Sequence, residues 1–173
     1  MDKNSTLNVR LFRLLLEYLK DSNRSDKEIA KVLGVSQPTV SRMKTKLLGS
    51  GIVRHFSAIP NPAKMGYDIL AFSLVKFNVE NVMKNLPEIE KLARTWAHSH
   101  PEILFDSRAE GMGIDAITIS IHKDYASYKE FLAQSKNTWG KFMFDVNFIL
   151  VDLKAGVNKP FSFKYLADDK EIL

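Results

Sequence analysis

The 173-residue sequence contains no cysteine. That excludes disulfides, thiolate nucleophiles and Cys-ligated zinc, and it fits a reducing cytoplasm. Long apolar runs are also missing. None approaches the roughly 18 residues that a membrane span needs, and the opening MDKNSTLNVR lacks the apolar core of a secretory signal. The chain is therefore expected in the cytoplasm, with no membrane partner. Catalytic signatures are absent as well: there is no G-x-S-x-G elbow and no Walker loop, and Gly111-Met112-Gly113 is too short for a dinucleotide site. His98 and His100 sit at a helix end without a third ligand, and His55 and His122 have no visible partner. Glu88 and Glu90 follow Pro87 in a first helical turn, where carboxylates favour the helix dipole, and Trp96 and Trp139 read as core or interface aromatics. No catalytic residue, metal or cofactor is expected.

What is present is an ordinary globular composition, 45% hydrophobic and 26% charged, with an uneven charge distribution. Residues 1–60 carry 11 Lys/Arg against 5 Asp/Glu, whereas residues 61–173 carry 14 against 15. A basic module on a near-neutral body is the electrostatic footprint of a nucleic-acid reader.

The basic module reads as three helices. Leu7, Leu11, Leu14, Leu15, Tyr18 and Leu19 recur at helical spacing. Ser25 and Glu28 form a capping box for a short second helix through about Leu33, and Gly34 supplies a left-handed turn after it. Ser36 is the N-cap of a third helix that tolerates Pro38 in its first turn and runs to about Leu48. The offsets Ala30, Gly34 and Val40 are those of a helix-turn-helix: a small residue at the crossing, a strain-free turn, and apolar residues gripping from both sides. On the third helix Val40, Met43 and Leu47 point inward. Pro38, Ser41, Arg42 and Thr45 point outward, flanked by Gln37, Thr39, Lys44 and Lys46, a face without acid. Gln37, Thr39, Ser41 and Arg42 are expected to read bases in a major groove, since amides, hydroxyls and guanidinium match base edges. Lys44 and Lys46 are expected on phosphates, together with the amides near Ser36 at the helix start. Gly51–Phe56 is expected to form a wing containing a short strand at Ile52–Phe56, with Arg54 on the DNA backbone.

The expected domains are a winged helix-turn-helix at 1–58, a proline-containing linker at 59–67, an α/β domain at 68–155 and a tail at 156–173. Ile69–Phe77 reads as a strand apolar on both faces, Val82–Ser99 as a helix restarted at Pro87, and Ile103–Ser107 as a short strand. Ile117, Ile119 and Ile121 alternate with Thr118, Ser120 and His122 in a half-buried strand. Tyr125–Ser135 is helical, and Phe142–Leu153 is a strand with Phe144, Val146, Phe148 and Leu150 on one face. The order β-α-β-β-α-β is that of a ferredoxin-like fold, so the fold class is α+β. In the tail, Phe161, Phe163 and Tyr165 alternate with polar residues as an added strand would, and Asp168–Leu173 reads as a fraying end.

Glu28–Arg42, Leu47-Leu48, Gly51-Ile52-Val53 and Gly66-Tyr67, followed by this α/β order, resemble the Lrp/AsnC family of prokaryotic regulators across nearly the whole chain. The resemblance implies sequence-specific binding of double-stranded DNA through the winged helix. It implies homodimers formed by packing open sheet faces, assembly up to octamers, residence on the nucleoid and, in many members, a small-molecule effector. The unusual apolarity of both faces of Ile69–Phe77 fits such a buried open face. The family's effector loop has Gly, one residue, an aromatic and Asp. Here Glu110-Gly111-Met112-Gly113-Ile114-Asp115 shifts that spacing by one and puts Ile114 at the aromatic position. A plain turn is therefore the preferred reading over an effector site at Gly111, Gly113 and Asp115. Two alternatives share the fold. A tetrapyrrole decarboxylase-like enzyme would lose the basic third helix and gain pocket-lining His, Tyr or Arg, the opposite of what stands here. An architectural protein would bind DNA without sequence preference.

Overall fold

The computed structural model describes residues 8–168, which fall into two compact units. The first takes in the chain up to Ile59 and from Lys159 onward; the second is Pro60–Asn158. No helix among the described residues is long and apolar enough to cross a membrane.

The first unit is built on α1 (Val9–Lys20), α2 (Asp26–Leu33) and α3 (Gln37–Gly49). Each start is chemically marked: Asn8 caps α1 by accepting from the Leu11 amide at 2.8 Å, Ser25 caps α2 and Ser36 caps α3. Leu14, Ile29, Val40 and Leu47 are completely buried at the crossing, with Tyr18 and Ala30 beside them. Leu7, expected in the first helix, lies outside the described residues.

The C-terminal segment departs from expectation. Phe163–Asp168 is a 3-10 helix, not a strand, and it lies against α1. Leu16, also buried, is on α1 but not in the crossing cluster. The alternation of Phe161, Phe163 and Tyr165 satisfies a strand template locally, but among the described residues of this unit there is no strand whose ladder it could join. The fraying end expected after Asp168 lies outside the described residues.

The second unit is an α+β, ferredoxin-like sheet under two helical segments. Its elements are β1 (Ile69–Phe77), α4 (Val79–Lys84), α5 (Leu86–Ser99), β2 (Ile103–Gly111), β3 (Ile114–His122), α6 (Tyr125–Trp139) and β4 (Met143–Asp152). The strands are antiparallel in the order β2-β3-β1-β4. Directly paired residues share a face, so the register separates two surfaces. The helix-covered face carries Ala71, Ser73 and Val75 from β1 opposite Ser120, Thr118 and Ala116 from β3. The other face carries Leu70, Phe72 and Leu74 opposite Ile121, Ile119 and Ile117. The polar members of β3 therefore lie beneath the helices and its isoleucines on the open face. Phe144 leaves the face expected for it, because the pairing shifts between Lys76 and Phe77 opposite it, and it is 70% exposed.

Candidate nucleic-acid interface

The outward face of α3 is presented by a rigid corner. Ser25 and Glu28 cap α2 reciprocally: the Ser25 amide donates to Glu28 Oε2 at 2.8 Å and the Glu28 amide to Ser25 Oγ at 3.3 Å. These bonds hold the Glu28 carboxyl below its usual value, favouring the charged form that the cap requires. Gly34 ends α2 in the left-handed region at φ 66°, where a β-carbon would cost energy. Its neighbour Val35 donates its amide to the Ala30 carbonyl at 3.1 Å, fixing the turn. Ser36 then accepts from the Thr39 amide at 3.3 Å to start α3.

Gln37, Pro38, Ser41, Arg42, Thr45 and Lys46 are all exposed. The face they form has no acid, and the sequence has no Asp or Glu between Glu28 and Asp68. Arg42 Nε donates to the Pro38 carbonyl at 3.4 Å, which lays the guanidinium along the helix, and Thr45 Oγ1 donates to the Ser41 carbonyl at 3.1 Å. Both bonds are intrahelical and leave the Arg42 terminal nitrogens free to meet an outside acceptor.

Two of the expected contact residues are less exposed than the rest. Thr39 is half-buried and its hydroxyl is 2.8 Å from Ser36 Oγ, so it braces the cap. Lys44 is half-buried, with Nζ 4.9 Å from the centroid of the Phe56 ring and 5.6 Å from that of Tyr18. Tyr18 itself has its hydroxyl 3.5 Å from Asp26, and burial, aided by that carboxylate, pushes its pKa up to about 12. The Ile52–Phe56 strand does not form. The Val53 amide instead donates to the Leu47 carbonyl at 3.2 Å, and Phe56 meets Tyr18 edge-on at 5.0 Å between centroids. With no partner strand among the described residues of this unit, an extended segment is held by its side chains alone. Arg54 is exposed within it.

In the second unit, Gly111 pairs with Ile114 across Met112 and Gly113, whose φ values of 54° and 72° are both left-handed. That is a two-residue hairpin of the I′ kind, for which Gly is favoured. Asp115 Oδ2 accepts from the Phe77 amide at 2.7 Å, where β1 bulges, so this carboxylate supports the sheet. His100 stacks on Trp96 at 3.6 Å between centroids and lies 3.1 Å from Gln134 Oε1. His122, without a visible partner in the sequence, is 3% exposed and has Nε2 2.8 Å from Ser120 Oγ. Among the described residues no group of three His, Asp or Glu side chains is arranged to hold a metal.

Comparison with known proteins finds transcriptional regulators among the chains similar to this one. No family model matches the chain. An uncharacterised HTH-type transcriptional regulator of Pyrococcus furiosus is 39% identical over 83 residues, which is 46% of this chain and 56% of that protein. The HTH-type transcriptional regulator Ptr1 of Methanocaldococcus jannaschii is 28% identical over 117 residues, 66% of this chain and 71% of that protein. The chain thus spans little more than half the length of the first of these relatives. In structure, an AsnC family transcriptional regulator from Agrobacterium tumefaciens superposes with a TM-score of 0.66 over 96% of this chain and 99% of its own, at 19% identity.

Proposed function

We propose that this chain, a relative of the Lrp/AsnC regulators, is a DNA-binding transcriptional regulator that reads double-stranded DNA through α3. The observation that carries the reading is the exposed, acid-free face of Gln37, Ser41, Arg42, Thr45 and Lys46 on a helix whose opposite side is locked by Val40 and Leu47. In a major groove Arg42 pairs with guanine and Gln37 with adenine, Ser41 and Thr45 take either, and Lys46 and Arg54 neutralise phosphates. Ser36, Pro38 and Thr39 shape the helix start that enters first, and Lys44 supports it from behind.

Dimerisation supplies the second recognition helix. The open sheet face exposes Ile149 at 54% and Phe105 at 50%, continuous in register with Phe72 and Ile119. An apolar sheet face of this kind is stabilised by pairing with a second copy, and the resulting symmetry calls for half-sites about one DNA turn apart or a multiple of it. Higher oligomers fit the same scheme. Such a protein works on the nucleoid and needs no catalytic group. An effector at Gly111, Gly113 and Asp115 has less support, because the Asp115 carboxylate already holds the Phe77 amide.

The test is a salt titration of duplex binding. Neutralisation of several phosphates predicts a steep linear fall of log affinity with log salt. Salt-independent binding, or none at any salt, contradicts the proposal.

A further inference from the structure

Beneath α5 and α6, wholly within Pro60–Asn158, lies a cavity of about 180 Å³. Its floor is the helix-covered face of the sheet. There Ser73, Thr118 and Asp106 are direct register partners on β1, β3 and β2, making a polar row across three strands. Thr118 Oγ1 is committed to Asp106 Oδ1 at 2.9 Å. Ser73 is 94% buried and its hydroxyl has no hydrogen-bond partner, the one such buried side-chain atom among the described residues. The walls are mainly apolar and aromatic, with Ile89, Ala93 and Trp96 from α5 and Phe131 and Trp139 from α6, while Glu90, Arg108 and Ser135 add polar groups at the lining. α5 fully buries none of its side chains, so the helical cover leaves this space open.

An orphaned buried hydroxyl is destabilising and calls for a partner. A buried water normally needs two to four polar groups, and the Thr118 hydroxyl beside Ser73 is already engaged by Asp106. The size and lining fit a different guest. An apolar cavity of about 150 Å³ accepts a benzene-sized molecule. Aromatic walls favour a ring, and a charged head would have to leave water, whereas one hydroxyl is satisfied by one bond to Ser73. We infer that this cavity is a binding site for a small ring-sized apolar molecule bearing a single hydroxyl, which exchanges a hydrogen bond with Ser73 Oγ. The site is separate from the DNA-reading face and from the open sheet face, and it does not depend on either.

Trp96 and Trp139 are the only tryptophans of the chain and both line the cavity, so intrinsic fluorescence reports its occupancy. Cyclohexanol, which does not absorb where tryptophan is excited, is the probe. Titration of the full chain is expected to give a saturable change in emission. Ser73→Val removes the orphaned hydroxyl in a residue suited to a strand, so affinity should fall about tenfold while the melting temperature rises. Ala93→Phe fills the space from α5 and should abolish saturation with the far-UV spectrum unchanged. A linear, non-saturating response of the unaltered protein overturns the inference. So does saturation that survives Ala93→Phe, which places the guest elsewhere, or equal affinity in Ser73→Val, which removes the hydroxyl from recognition. Should Ser73→Val fail to fold, Ala93→Phe alone decides.

Discussion

The Lys44 ammonium lies 4.9 Å from the centroid of the Phe56 ring, tying the middle of α3 to the segment that follows it. A cation over an aromatic face contributes about 0.5–1 kcal/mol at a partly exposed site. Lys44→Met is therefore expected to lower the stability of the first unit by about that amount. Its effect on the salt slope of duplex binding should be smaller than that of Lys46→Met. Urea unfolding paired with a salt titration of each variant measures both, and a larger slope change for Lys44 would put its ammonium on a phosphate instead.

Arg42 and Lys46 are expected to fail differently. Arg42→Ala should cost about 1–3 kcal/mol on the preferred duplex and relax the preference at one base position. Lys46→Ala should weaken all duplexes alike and reduce the salt slope by about 1. Competition binding against a set of single-position sequence variants separates the two patterns, and a uniform loss for Arg42→Ala would make it a phosphate contact.

Ile149 is 54% exposed on the open sheet face and is paired in register with Phe72. Ile149→Asp places a charge where a second copy would have to bury it. Light scattering should then give a monomer where the unaltered chain gives a dimer, with the circular dichroism spectrum intact and operator affinity sharply reduced. A dimer that persists in Ile149→Asp would move the interface elsewhere.

His122 is expected to make the second unit sensitive to acid. Burial holds its imidazole below the usual value, partly offset by the nearby Glu102. The unfolded chain then takes up the proton more readily than the fold does, so this histidine's contribution to stability is present above the ordinary value of about 6.5 and is lost as pH falls through the depressed one. Denaturation midpoints should drop as pH falls below the ordinary imidazole value, and His122→Gln should flatten that part of the profile. An identical profile in His122→Gln would assign the acid sensitivity to other groups.

Much of the helical corner was legible because each piece has a local cause. Ser25 with Glu28, Gly34 and Ser36 act within one or two turns of where they stand, so their chemistry can be read from spacing alone. Errors came where a distant partner decides. Ile52–Phe56 has strand composition but no neighbouring strand, and Phe56 is held by Tyr18 from α1. Phe161–Tyr165 alternates like a strand, yet the chain from Phe163 turns into a 3-10 helix beside α1. Alternation in Ile117–His122 identified a strand but not which side the helices cover, and the register puts Thr118 and Ser120 beneath them. The folding-back of Lys44 and Thr39 and the orphaned Ser73 hydroxyl depend on side-chain positions that no periodicity encodes.

On the proposed function, α3 reads sequence and not merely charge. Selection of genomic fragments with the purified protein at near-physiological salt, followed by competition of the enriched duplex against random DNA, tests it most directly. A palindromic motif bound at least about a thousandfold more tightly than random DNA is expected, with the preference reduced by Arg42→Ala. Equal affinity for selected and random duplexes would contradict it and leave an architectural role for the same face; no binding to either would contradict the DNA-reading assignment altogether.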